Sequence, residues 1–249
     1  MLEIDRLSIE ISGKPIVKQI SFAVPSGTIT SIIGESGSGK SMTAAAILGI
    51  LPAGGKATGQ IKFNGGNILD YSMKEMANMR KTKIFTIFQD AANSFNPSVR
   101  MKKQLYEFAG RRMGDSVPHF RLRMEKILAG IGLSPEVMNQ YPFQLSGGML
   151  QRCMIACAFY VEPKLLIADE PTSAIDMLLQ KEFIGLLKRL NEEKKTTVLL
   201  ITHDLDIAAE AAQNVVVMHK GEVVETGKAA ALFESPEHPY TKRLLQTRF

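Results

Sequence analysis

The chain opens with short runs of apolar and β-branched residues broken by glycine and proline. Leu7–Ile11, Ile16–Val24 and Thr28–Ile33 are rich in Ile, Val and Thr, which suit a half-buried pleated surface. They predict three strands, and Gly59–Phe63 and Ile84–Phe88 predict two more. Ile32-Ile33 runs straight into a glycine-rich segment, after which Ser41–Ile50 has helix-forming composition. From about Ala91 to Tyr160 the pattern turns helical, with loops at Gly114–Pro118 and Ser134-Pro135. Strand–helix alternation then returns: strand Leu165–Ala168, a helix from about Met177 to Glu193, strand Val198–Thr202 and helix Leu205–Ala212. Val215–His219 and Glu222–Glu225, joined through Lys220-Gly221, predict a hairpin, and Thr241–Gln246 a last helix. The whole predicts an α/β fold: residues 1–90 and 161–249 form a core with a β-rich N-terminal part, and 91–160 an inserted helical subdomain.

A length of 249 residues suits one such core with its insert. A hydrophobic fraction of 45% with 22% charged residues places the chain among ordinary globular proteins rather than disordered or fibrous ones. Cys153 and Cys157 are too few for a disulfide framework. Spaced by four in an apolar helical stretch, they read as core residues of a reducing compartment. No apolar run approaches the ~18 residues of a membrane span. Met1-Leu2-Glu3-Ile4-Asp5 carries early acids and no signal-peptide core. The expectation is a cytoplasmic chain that meets any membrane through a partner. The net charge of +5 comes with scattered basic pairs such as Lys102-Lys103, Arg111-Arg112 and Lys194-Lys195, which read as solvated surface and not as a nucleic-acid track.

Gly34-Glu35-Ser36-Gly37-Ser38-Gly39-Lys40-Ser41 is a complete phosphate-binding loop between a predicted strand and a predicted helix. Its glycines let backbone amides turn toward an anion, and the helix N-terminus adds partial positive charge. Lys40 is placed for the β- and γ-phosphates, and the Ser41 hydroxyl for Mg²⁺. Leu165-Leu166-Ile167-Ala168-Asp169-Glu170 is an apolar strand that ends in two acids. Such a strand delivers carboxylates to the edge where α/β sheets bind ligands. Asp169 is placed to hold Mg²⁺ through water, and Glu170 to act as general base on the attacking water.

Leu145-Ser146-Gly147-Gly148-Met149, followed by Gln151-Arg152, lies just ahead of a helical stretch and shortly before the acidic strand. This order resembles the ATP-binding cassette superfamily, whose signature motif occupies that place. Gln89, after the strand Ile84–Phe88, resembles the Q-loop glutamine; Ser173-Ala174-Ile175-Asp176 resembles the D-loop, with Ile175 where Leu is usual. His203 in Ile201-Thr202-His203-Asp204 resembles the switch histidine. The resemblance implies the P-loop NTPase fold of these ATPases and a nucleotide sandwich, with ATP and Mg²⁺ as ligands. Ser146, Gly147 and Gly148 would act in trans on the partner's γ-phosphate, Gln89 at the Mg²⁺ or water site, and His203 on the γ-phosphate. Relatives usually carry an aromatic residue for stacking on adenine at the end of the first strand; here Ile11 holds that position.

Ser235-Pro236-Glu237-His238-Pro239-Tyr240-Thr241-Lys242-Arg243-Leu244-Leu245 resembles the tail element of the peptide/nickel importer branch, as do Phe95-Asn96-Pro97 and Tyr141-Pro142. The branch places Phe95-Asn96-Pro97 at the contact with the membrane subunit. Phe143, Leu150 and Leu48-Gly49-Ile50-Leu51-Pro52-Ala53-Gly54 look more like nickel- or metallophore-type ATPases. The expected function is the ATPase of a nickel or metal–metallophore importer; the alternatives are a di- or oligopeptide importer and a soluble, non-transport cassette ATPase. His119, His219 and His238 form no metal-ligand motif. The partners implied are two membrane-spanning permease subunits and a second ATPase, related or identical. An extracytoplasmic solute-binding protein would act indirectly, and no nucleic acid is involved. The chain would then sit peripherally on the cytoplasmic face of the membrane.

Overall fold

The computed structural model describes residues 1–89, 92–173 and 176–246. Strands and helices follow in the order β1 (Leu2–Ile11), β2 (Lys14–Val24), β3 (Ile29–Ile33), α1 (Lys40–Leu48), β4 (Gly55–Phe63), β5 (Gly66–Asn67), α2 (Met73–Thr82) and β6 (Ile84–Ile87). The helical stretch holds α3 (Met101–Leu105), α4 (Arg111–Met113), α5 (Val117–Gly130) and α6 (Gly147–Val161). Then come β7 (Leu165–Asp169), α7 (Met177–Lys194), β8 (Thr197–Ile201), α8 (Leu205–Ala211), β9 (Asn214–His219), β10 (Glu222–Lys228), α9 (Ala229–Glu234) and α10 (Pro239–Gln246). The chain forms two compact units, Met1–Arg80 with Thr197–Phe249, and Lys81–Thr196. β7 pairs with β6 and α7 packs on α6, all inside the second unit.

In the first unit, β2, β1, β4 and β5 form an antiparallel sheet in that spatial order. β1 buries Leu2 and Ile4, then Leu7 and Ile9, so its alternation slips by one residue. The slip is a bulge: Arg6 has φ +47, and the register shifts between Ile4 and Leu7. The amide freed at Arg6 donates to Ser21 Oγ at 2.9 Å, and that of Gln19, also at positive φ, to Ser8 Oγ at 3.0 Å. Two serines thus satisfy backbone groups that the bulged ladder leaves over.

The same unit carries β10, β9, β3 and β8 side by side. β3 lies parallel to both β8 and β9, while β9 and β10 form the antiparallel hairpin expected from Lys220-Gly221. Both turn residues have positive φ, as a two-residue type I′ turn demands. Every residue of β3 and β8 is buried, so the phosphate-loop strand runs through the interior. Ile33, Leu205, Ala208, Val215, Val217 and Tyr240 belong to one apolar cluster, which ties the C-terminal helix to β3.

In the second unit, β6 and β7 form a parallel pair. α3 continues through a π-helical turn, Tyr106–Gly110, into α4. α6 is buried nearly all round, from Leu150 to Val161, which marks a core helix rather than an amphipathic surface one. Cys153 and Cys157 are free and buried in it; burial pushes the Cys153 thiol up to about 12 and Cys157 well above its usual value. Both stay protonated and inert at neutral pH. A thiol reagent should label neither in the folded chain and both after denaturation; fast labelling of the native protein would contradict their burial. Among the described residues no helix is long and apolar enough to cross a membrane.

Candidate functional site

In the first unit, β3 delivers the glycine-rich loop at its C-terminal end. Gly34 takes φ +148, Gly37 +80 and Gly39 +101, so three of the eight loop residues occupy backbone space that favours glycine. Space is as tight as the dihedral: a Cβ at Gly34 would lie 2.1 Å from the Met218 carbonyl oxygen. Gly39 leads into α1, whose first-turn amides lack helical partners. Lys40 is buried, and its Nζ donates to the carbonyls of Gly34 at 2.7 Å and Glu35 at 2.9 Å. Ser38 is buried, and its Oγ has no protein hydrogen-bond partner. Glu35, Ser36, Gly37 and Ser41 are exposed. The loop combines three glycines at positive φ, one buried ammonium and one unsatisfied hydroxyl at a helix N-terminus, which is anion-binding chemistry.

His203 leaves the same sheet edge. Ile32 of β3 is in register with Ile201 of β8, so Gly34 and His203 both stand two residues beyond paired positions of parallel strands. The loop that carries His203 is fixed on both sides. Thr202 N–H donates to the Ile32 carbonyl, Asp204 N–H donates to Thr202 Oγ1, and the Asp204 carboxylate caps α8 through Asp206 and Ile207. The imidazole is exposed. Ile11 stands, half-buried, at the end of β1.

The second unit holds the acidic and signature elements. Ile87 pairs with Ala168, so Gln89 and the Asp169-Glu170 pair emerge from one edge of the β6–β7 ladder. Both acids are half-buried, and Glu170 is in the left-handed region at φ +48, uncommon for a residue with a side chain. Its carbonyl accepts from Ser173 N–H at 3.3 Å and Ser173 Oγ at 3.1 Å, a tight turn that holds the strained residue. Ser173 Oγ also lies 3.5 Å from the Gln89 carbonyl. Ser173 and Asp176 are therefore placed, and Asp176 caps α7; Ala174 and Ile175 lie outside the described residues. Ser146 caps α6, its Oγ accepting from Met149 N–H at 3.3 Å, and Gly147 and Gly148 form the first turn. Gly148 is packed on Leu179, whose Cδ1 would stand 2.7 Å from an added Cβ.

One residue departs from its expected place. Phe95, read as a contact for a membrane subunit, is 4% exposed and packs on Phe108 with ring centroids 5.6 Å apart. It is a core residue. The exposed neighbours Asn96 and Pro97 form a loop clasped by buried Gln104, whose side chain accepts from Asn96 N–H and donates to the Asn96 and Val99 carbonyls. One contact escaped the sequence reading altogether: the Tyr240 hydroxyl reaches the phosphate loop at Glu35.

Comparison with known proteins identifies the family. A model of the ABC transporter family matches residues 17–173. The dipeptide transport ATP-binding protein DppD of Escherichia coli is 40% identical over 99% of this chain and 77% of its own length. The oligopeptide transport ATP-binding protein OppD of Salmonella typhimurium is 41% identical over 92% of this chain and 69% of its own. Among solved structures, cbiO1 of Clostridium perfringens, part of the ABC transporter complex cbiONQ, superposes with a TM-score of 0.82 at 30% identity, covering 100% of this chain and 95% of that one. The ATP-binding cassette MJ0796, a dimer bound to ADP and Pi, gives 0.79 at 28% identity, covering 92% and 99%. These relatives favour the peptide alternative over the nickel reading of the sequence. The chain belongs to the ABC transporter family, has its P-loop ATPase fold, and is an ATP-hydrolysing subunit.

Proposed function

We propose that this chain energises a di- or oligopeptide importer from the cytoplasmic face of the membrane. It would do so with two membrane-spanning permease subunits, a second ATPase subunit and, indirectly, an extracytoplasmic binding protein. The observation that supports this most is 40% identity, across 99% of the chain, to a protein named for dipeptide transport. The residues that pointed toward nickel carry no metal chemistry. Phe143, for one, is 72% exposed and stacks on Tyr141. In cells whose only copy is Glu170→Gln, uptake of a radiolabelled dipeptide should fall to background while nickel uptake is unchanged. The reverse pattern would replace the peptide reading by the nickel one.

The roles proposed for the site residues follow from their chemistry. The amides of residues 34–41 and the Lys40 ammonium hold the phosphates of ATP, and the orphaned Ser38 hydroxyl fits a phosphate oxygen. By chemistry Ser41 offers a hydroxyl, Asp169 a carboxylate and Gln89 an amide oxygen, each a hard oxygen donor of the kind that suits Mg²⁺. Bound Mg²⁺ would neutralise phosphate charge. Glu170 accepts the proton of the attacking water, and His203 donates a hydrogen bond to the γ-phosphate. Ser146, Gly147 and Gly148 present the N-terminus of α6 to the nucleotide of the second ATPase subunit.

Base recognition rests on less. Ile11 can cover a purine by dispersion but lacks stacking worth roughly 0.5–1.5 kcal/mol beyond area burial. The natural chain should therefore bind ATP and GTP with similar, modest affinity. Ile11→Tyr should tighten binding several-fold, since ~1.4 kcal/mol is tenfold. Titration of both nucleotides against both chains checks this; strong ATP selectivity with no gain from tyrosine would remove Ile11 from the base site.

A further inference from the structure

The Gly34–Glu35 peptide unit is held from both ends. Its carbonyl oxygen accepts from Lys40 Nζ at 2.7 Å, and its N–H donates to the Tyr240 hydroxyl at 3.2 Å. One peptide plane thus links the lysine of the loop to Tyr240, which lies 205 residues beyond Glu35. Rotation of that plane would withdraw the carbonyl from Lys40 and re-aim the amides that follow it.

Tyr240 is itself seated with care. It is 3% exposed, and its ring stacks on His219 with centroids 3.8 Å apart and planes at 28°. His219 ends β9, and the hairpin tip beside it touches the loop at two further points. The Met218 carbonyl abuts Gly34, and Gly221 N–H donates to the Ser38 carbonyl at 3.1 Å. The segment before Tyr240 is anchored on β10. The two oxygens of Glu225 accept from Glu237 N–H at 2.8 Å and His238 N–H at 3.1 Å, and His238 Nδ1 accepts from Tyr240 N–H at 3.1 Å. The phosphate loop therefore has an outer brace, made by the β9–β10 tip and the C-terminal segment.

We infer that Tyr240 is a positioning residue for the phosphate loop, and that seating of the C-terminal segment on Glu225 sets nucleotide affinity through it. The inference rests on the reading of residues 34–41 as the nucleotide loop. Tyr240→Phe removes one oxygen and keeps the ring on His219. It leaves the Glu35 amide without its acceptor and frees the peptide plane. Glu225→Gln removes one of the two acceptors that anchor the segment and acts by the same route.

The test is equilibrium titration of the full chain with MgATP, with the melting midpoint measured in the absence of nucleotide. Tyr240→Phe should weaken binding about five-fold, ~1 kcal/mol at ~1.4 kcal/mol per decade, with the melting midpoint unchanged. Glu225→Gln should weaken it less, and the double variant no more than Tyr240→Phe alone, because both act on one peptide plane. Affinity equal to that of the natural chain, a loss that tracks a lowered melting midpoint, or additive losses in the double variant would each overturn the inference and leave the nucleotide-loop reading standing. Failure of the natural chain to bind MgATP would overturn both.

Discussion

Glu170→Gln should lower the ATP turnover of the assembled transporter by about 10²–10⁴-fold, the usual span for a positioned general base. ATP affinity should stay within about two-fold of the natural value, because the groups assigned to phosphate and Mg²⁺ are untouched. The local structure supports a clean result. The turn around Glu170 is held through its backbone carbonyl oxygen, which accepts from the Ser173 amide and hydroxyl and is untouched by the substitution. A glutamine has the same shape and leaves that turn in place, so what is lost is the ability to take a proton. Steady-state hydrolysis and nucleotide titration on the same preparation check this. Hydrolysis at the normal rate would show that another group is the base.

The second large effect belongs to Gly34→Ala. At φ +148 the position is one that side chains rarely adopt, and a Cβ would lie 2.1 Å from the Met218 carbonyl oxygen. Met218 is fully buried in β9, which pairs with β3 through Ile33 and Val217. The backbone that clashes is therefore part of the sheet and cannot step aside cheaply. Strain in such regions costs ~1–3 kcal/mol before the clash is counted. A total of roughly 3 kcal/mol would lower the melting midpoint by about 6–12 °C for a chain of this size. Nucleotide affinity should fall more than ten-fold, since relief of the clash must tilt the peptide that carries the Lys40 acceptor. An alanine variant with natural melting and binding would mean that the loop has another low-energy path at this position.

The contrast between what could and could not be read from the sequence has physical causes. β3, β7 and β8 were legible because each is a short, continuously buried run that ends in chemistry-bearing residues. The parallel register then fixes which loop ends share an edge, as Gly34 and His203 do. The first half of β1 was not legible, because the bulge at Arg6 shifts the buried set from Leu2 and Ile4 to Leu7 and Ile9. α2 escaped because only Met76 and Met79 of its ten residues are buried, which leaves a faint helical period. Its signal was the cap instead: Ser72 and Glu75 exchange hydrogen bonds as a Ser-x-x-Glu capping box. Tyr240 was read as a marker of the importer branch. Its contact with the loop depends on tertiary packing across 205 residues, which no local pattern encodes.

The candidate site divides in the same way. The loop and the acids were singled out by residue type and order, and the signature and histidine by family resemblance. The supports around them were not, since Ser173 beneath Glu170, Gln104 around the Asn96 loop and Met218 against Gly34 are each defined only by the fold. Phe95 shows the opposite error. A position assigned by resemblance to a subunit contact is filled here by a ring that belongs to the core.

The most direct test of the account is made on this chain purified in complex with the proposed permease and second ATPase subunits, in proteoliposomes that enclose MgATP. Hydrolysis of ATP and accumulation of a labelled dipeptide are measured together. Dipeptide accumulation that requires ATP, and that stops with hydrolysis when this chain carries Glu170→Gln, is the predicted result. Peptide uptake that continues at the natural rate with the Glu170→Gln chain would contradict it.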